Sequence, residues 1–208
     1  MQLFDAFFVV FIIMFSAVIH EVMHGYMADF LGDPTARLAG RLTLNPIPHL
    51  DPVGSIILPL FFTFTNSPLF FGWAKPVPYN PYNLRPGRFS EALVAGAGPA
   101  SNLVIAVIFG ALIRLQVFDA LVNSTLFYVV VVNVMLFLFN LIPVPPLDGS
   151  KVLESLLPSG LQHMYGTQRR TMEQNPLIGM AVVFAFIILL GGTFGSFVYT
   201  IARGIAGI

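Results

Sequence analysis

A chain of 208 residues with 56% hydrophobic and only 10% charged residues cannot clothe a water-facing surface, where about a quarter of residues ordinarily carry charge. The membrane class follows. A net charge of zero gives no footing for nucleic acid, and the absence of cysteine excludes disulfides and thiol chemistry.

The first charge-free window, residues 6–20, runs straight into HEVMHG at 20–25. It is long enough to span if the helix extends from about Leu3 to Ala28, with Glu21 inside it. No basic region precedes it and no small-residue cleavage site follows, so this helix is expected to be retained. GRLTLNPIPHLDP, residues 40–52, alternates apolar and polar residues around RLTLN, which predicts a short β-hairpin near 40–48. The second window, 52–74, carries Pro52, Pro59 and Pro68 with Gly54 and Gly72. Proline removes a helical backbone bond and kinks the helix; hydropathy alone would make this window a bent spanning helix, but the expectation is a re-entrant or partial membrane segment. The proline-rich WAKPVPYNPYNLRPG, 73–87, is expected to run extended. Windows 92–113, 120–147 and 174–202 are each long enough to cross a bilayer. Between the last two, LPSGLQHMYGTQRRTMEQN at 157–175 is the most polar stretch and is read as a solvated loop, His163 included. Gly191 and Gly195 form a GxxxG pair expected to pack helices within the fold. The fold class expected is an all-α polytopic membrane bundle of four spanning helices. A single domain is expected over 1–208, with a core at about 3–155 and a C-terminal helix at about 176–203.

On a helix, His20 and His24 lie four residues apart on one face. Two imidazoles so placed can share one zinc ion, and Glu21 projects from nearly the same side toward a water on the metal. HExxH alone is a loose pattern, and a His/Glu cluster can also snorkel at a helix end. The membrane context sharpens it, because an ionisable residue inside a spanning segment costs at least about 2.5 kcal/mol. A catalytic zinc takes three protein ligands and keeps one position open. The metzincin extension would need glycine at 27 and histidine at 30, where this chain has Met27 and Phe30, so that class is excluded. Asp51 and Asp148 each follow a proline-rich break. Asp148 closes NLIPVPPLDG, 140–149, a break of the kind tolerated where it lines a cavity. It also suits a cap before a helix at 150–157.

HEVMHG, GAGPASN (96–102) and NLIPVPPLDG, in that order and each on an apolar segment, resemble the site-2 protease family of intramembrane zinc metalloproteases. The stretches NPIPHLDPVGS and GWAKPVPYNP resemble the linker of compact members, and no PDZ-like insertion or appended domain interrupts the match, so the resemblance is to a minimal form. The resemblance implies that His20, His24 and Asp148 bind one zinc ion and that Glu21 activates the water. It implies a substrate class, the transmembrane segments of other proteins. No oligomeric state is implied. Asn102 and Asn140 are amides in apolar helices. They either donate to a substrate carbonyl or oxyanion or tie helices together. His49 either approaches the site or serves the linker. The rival reading is a non-enzymatic membrane zinc-binding or transport protein built on the same three ligands. It leaves Glu21 without a task, and it would put polar residues on several helices at mid-depth.

HEVMHG ends its helix, GAGPASN begins the third window and PPLDG ends the fourth. For these to share a depth, the chain between His24 and Gly96 must cross the bilayer an even number of times. With the metal site toward the cytosol, eight of the ten basic residues lie inside: Arg37, Arg41, Lys75, Arg85, Arg88, Lys151, Arg169 and Arg170. Arg114 and Arg203 lie outside, as the positive-inside rule asks. The expectation is an integral multi-pass protein, of the cell membrane if prokaryotic, with both termini on the non-cytosolic face.

Overall fold

The computed structural model describes residues 3–57, 61, 64 and 73–208. They divide into two compact units, Met1–Leu84 and Arg85–Ile208. The described residues contain helices and turns and no strand. Among the described residues, four helices are long and apolar enough to cross a membrane.

In the first unit, α1 runs from Leu3 to Phe30. Ile12, Ser16, His20, His24 and Ala28 recur every four residues and are all buried, which makes one inward stripe on an otherwise apolar cylinder. The helix stops for a local reason. Gly32 takes φ 108°, the Gly32 amide donates to the Asp29 carbonyl and the Asp33 amide to the Ala28 carbonyl. That is a Schellman end, and Pro34 forbids continuation. The short α2, Thr35–Leu38, ends the same way at Gly40, φ 65°, with the Arg41 amide on the Ala36 carbonyl.

The hairpin expected near 40–48 does not form. Thr43 Oγ1 accepts the Asn45 amide at 3.2 Å, and Asn45 Oδ1 accepts the Ile47 amide at 3.1 Å. Side chains that bond their own backbone two residues on offer an alternative to a ladder, and Pro46 and Pro48 have no amide to give one. The segment instead closes in a 3-10 turn at Ile47–His49. Asp51 then caps a π-helical turn, Pro52–Ile57, its Oδ1 accepting the amides of Val53 at 3.0 Å and Gly54 at 2.7 Å. The path expected to be re-entrant falls for the most part outside the described residues. Its two ends do not. The Trp73 amide donates to the Gly54 carbonyl at 3.3 Å, and Ser55 Oγ donates to the Trp73 carbonyl at 2.8 Å. From there residues 75–80 run without helix or strand, Asn80 extended, into a 3-10 turn at Pro81–Asn83.

The second unit is built on three long helices: α3, Ser90–Arg114; α4, Ala120–Asn140; and α7, Pro176–Ala206. Asp119 caps α4 by accepting the Val122 amide at 2.8 Å. The core between them is made of small and β-branched residues, Ala106, Val130, Val134, Val198 and Ala202 among them. A Cβ at Gly110 would lie 2.5 Å from Ile205 Cγ2, the close approach by which apolar helices associate in lipid. The GxxxG pair plays no such part: a Cβ at Gly195 would meet nothing within 4 Å, and one at Gly191 only Ile187 of its own helix.

Two shorter helices follow α4: α5, Asp148–Leu156, and α6, Ser159–Gln174. The solvated loop expected at 157–175 is thus a helix over most of its length, although His163 is exposed. Its anchor is Arg169, 5% exposed. The guanidinium donates to Glu154 of α5 at 2.5 Å, to Glu173 one turn on at 2.8 Å and to Glu91 of α3 at 3.2 Å. Desolvation works against its charge, but the hydrogen bond to Glu154 and the fields of the three carboxylates outweigh it and raise the pKa. Arg88 adds a second tie, donating to the carbonyls of Ser155 and Leu157, each at 2.9 Å, at the end of α5. Arg169→Met is therefore expected to destabilise this unit by about 3 kcal/mol. That is the low end for breaking a buried pair, because Glu91 and Glu173 are each about a third exposed and can rehydrate. Thermal unfolding in detergent measures it, and adding Glu154→Gln, which removes the least hydrated carboxylate, should recover part of the loss.

Candidate metal centre

His20 and His24 sit on α1 a helical turn apart, 6% and 8% exposed. Their ring centroids are 4.6 Å apart and the planes meet edge to face at 83°. Two buried imidazoles side by side on an apolar helix are an ill-suited core unless their nitrogens are used, and together they are a nitrogen donor pair of the kind zinc takes. Glu21, half-buried between them in sequence, turns one carboxylate oxygen to a backbone amide: its Oε2 accepts the Val77 N–H at 3.0 Å. A Cβ at Gly25 would lie 2.8 Å from Val77 Cγ1 and 2.6 Å from Leu42 Cδ2. The glycine that closes HEVMHG is there because two neighbours press against the helix.

In the second unit, Asp148 is the first residue of α5 and is half-buried. Gly149 beside it packs so tightly on the end of α4 that a Cβ would overlap the Leu141 carbonyl oxygen. The PPLDG turn is thereby fixed against the helix it follows. Asn102 is fully buried, and its amide nitrogen donates to Asn133 Oδ1 at 2.9 Å. Asn133 in turn donates to the Val129 carbonyl of its own helix at 2.9 Å. This pair ties α3 to α4. Asn133 is not among the sequence candidates; the signal for it was available, a lone amide in VVVVNVML. Asn140 donates to the Leu136 carbonyl one turn back at 2.9 Å.

Two other sequence candidates lie in the first unit. Asp51 is engaged as the cap described above. His49 is 1% exposed. Its Nε2–H donates to the Thr43 carbonyl at 2.9 Å, while its own carbonyl accepts the Lys75 amide at 2.8 Å. Burial pushes its pKa below the ordinary histidine value, and Arg41 pushes it the same way. It is a residue of the linker.

A sequence model of Peptidase family M50 matches residues 111–190. The Bacillus subtilis protein named "Putative zinc metalloprotease YwhC" is 38% identical over 176 residues, which are 80% of this chain and 72% of YwhC. The chain belongs to peptidase family M50. Rip2 of Mycolicibacterium smegmatis, described in the same words, is 32% identical over 76% of this chain and 57% of its own length. Rip2 of Mycobacterium tuberculosis is 28% identical over 81% of this chain and 61% of its own length. No solved structure gives a significant match. Family M50 is the site-2 protease family, and with four apolar helices of spanning length among the described residues this M50 protein is a multi-pass membrane protein.

Proposed function

We propose that this M50 protein is an intramembrane endopeptidase, acting as one catalytic domain, that cuts transmembrane segments of other membrane proteins. In it His20, His24 and Asp148 hold one zinc ion and Glu21 is the general base. The observation that carries the reading is the pair of buried, adjoining imidazoles on a helix of spanning length, with a carboxylate one residue from the first. The donor set fits: two nitrogens and one carboxylate oxygen are a common catalytic zinc complement. Zinc bound there would acidify a water to a pKa near 7 and polarise a carbonyl. Glu21 takes the proton from the attacking water on Oε1, since Oε2 is held by Val77, and passes it to the leaving amine. Water is consumed, the C–N bond breaks, and a carboxylate and an amine leave.

A substrate helix hides its carbonyls in its own hydrogen bonds, so it must unwind locally before this chemistry can reach it. The two histidines themselves are buried. Stripping the metal with a strong chelator is expected to abolish cleavage of a model transmembrane substrate, and stoichiometric zinc, one ion per chain, is expected to restore it. Activity that survived complete chelation, verified by metal analysis, would remove zinc from the reaction. Acid is expected to release metal and activity together, because the ligands must be unprotonated imidazoles.

The orientation follows from the same parts. Residues 54 and 73 are hydrogen-bonded to each other and so lie at one depth. Within the second unit, Arg88 and Arg169 gather at the end where α3 begins. Arg114 instead donates to the Gly204 carbonyl at the other end at 2.6 Å. The more basic end is the cytosolic one by the positive-inside rule. Single cysteines at Leu38 and Tyr82, 80% and 96% exposed, are expected to react with an impermeant thiol reagent from the same, cytosolic face. Labelling from opposite faces would break this topology.

A further inference from the structure

The Glu21 carboxylate is gripped from a residue 56 positions downstream, the Val77 amide. Val77 lies in KPVPYN, residues 75–80. Pro76 and Pro78 fix φ on either side of it and have no N–H of their own, so the strap is stiff and Val77 supplies its central amide. The Val77 side chain is 5% exposed and seats against Gly25.

The strap is pinned at both ends. Upstream, the Lys75 amide bonds the His49 carbonyl at 2.8 Å, and Arg41 donates to the Lys75 carbonyl at 2.9 Å. Downstream the anchor is one carboxylate. Asp33 Oδ2 accepts the Asn80 amide at 2.6 Å, and Oδ1 accepts Asn83 Nδ2 at 2.9 Å, Thr35 Oγ1 at 2.5 Å and the Thr35 amide at 3.2 Å. Asp33 is fully buried, and its own amide is fixed to the end of α1. Burial pushes its pKa up, but the hydrogen bonds from Thr35, Asn80 and Asn83 outweigh that and hold it low. A buried charge with four donors is a rigid post, and its amide ties it to the end of the helix that carries Glu21.

We propose that Asp33 is a positioning residue for peptide hydrolysis: by anchoring Asn80 it sets the strap from which the Val77 amide holds Glu21 Oε2 and leaves Oε1 to the water. The inference rests on Glu21 being the base. A displaced general base lowers kcat. It leaves the two imidazoles on their own helix, so zinc content stands, and it leaves KM unmoved.

The test uses the full chain in detergent. Val77→Pro removes the amide, and Asp33→Ala removes the anchor. Each is expected to lower kcat by about 100-fold, the scale of a 1 Å misplacement, with KM and bound zinc within about twofold of wild type. Val77→Ala keeps the amide and is expected to recover most of the kcat lost in Val77→Pro. A second readout needs no activity. In zinc-free protein, amide exchange at Val77 is expected to quicken at least about tenfold in Glu21→Ala and in Asp33→Ala, as for any released hydrogen bond. Should Asp33→Ala fail to fold, the Val77 pair and the exchange comparison with Glu21→Ala decide alone. Unchanged exchange in Glu21→Ala would overturn the grip. Full kcat in Val77→Pro and Asp33→Ala, beside a dead Glu21→Gln, would overturn the inference and leave Glu21 as base. An active Glu21→Gln would instead overturn the reading on which it rests.

Discussion

Replacing Glu21 by glutamine is expected to cut peptide cleavage by about 1,000-fold, within the range for losing a general base, while bound zinc stays at one ion per chain. Glutamine keeps the length of the side chain and an oxygen for the Val77 amide, so the strap stays seated. What it loses is the ability to take a proton from water. The two imidazoles are untouched, so metal binding is not at issue. A membrane zinc carrier built on the same histidines would behave otherwise: its flux would survive the change, because nothing in moving an ion requires a carboxylate beside the first ligand. Cleavage of a transmembrane substrate in detergent, paired with metal analysis of the same sample, separates the two. Wild-type cleavage by the glutamine variant would sink the proposed mechanism.

The parts of this fold that could be read from the sequence are those whose signal is local. Charge-free windows gave α1, α3, α4 and α7 within a few residues at most ends, because a spanning helix is defined by its own composition. The fourth window overran: helix α4 stops at Asn140, ahead of Pro143, Pro145 and Pro146, so hydropathy saw an apolar run where the backbone had already broken. The hairpin at 40–48 failed for the opposite reason. Alternation in RLTLN was real, but a strand needs a partner, and Thr43 and Asn45 spend their side chains on their own backbone. Helix α6 was hidden by polarity. Its buried face is largely one arginine, and that arginine is buried only because carboxylates 78, 15 and 4 residues away come to it. The site divides along the same line. The spacing of His20 and His24 is a helical property and was legible. The grip on Glu21 was not, because a backbone amide leaves no mark in a sequence.

Asp148→Asn is expected to lower zinc affinity by at least about 100-fold, since even outer partners of a ligand are worth 10–100-fold, and to abolish cleavage at ordinary zinc levels. Asparagine matches the shape of the aspartate and keeps one oxygen, so the PPLDG turn that Gly149 packs against Leu141 is preserved and the fold is not the variable. The charge is, and a carboxylate opposite a divalent cation contributes through that charge. The control is Asp51→Asn. Asp51 also follows a proline-rich stretch and is the rival third ligand on the sequence alone. Its Oδ1, however, accepts the Val53 and Gly54 amides as a cap, and an asparagine oxygen can still do that. Asp51→Asn is therefore expected to bind zinc as wild type does, with stability within about 1 kcal/mol. Other carboxylates are similarly engaged: Asp29 pairs with Arg37 at 3.1 Å, Asp33 holds the strap, Asp119 caps α4, and Glu91, Glu154 and Glu173 surround Arg169. Competition with a coloured zinc chelator, run on both variants and on His20→Ala as the reference for a lost ligand, gives the three affinities directly. Asp148→Asn with wild-type affinity, or Asp51→Asn as weak as His20→Ala, would move the third ligand away from Asp148.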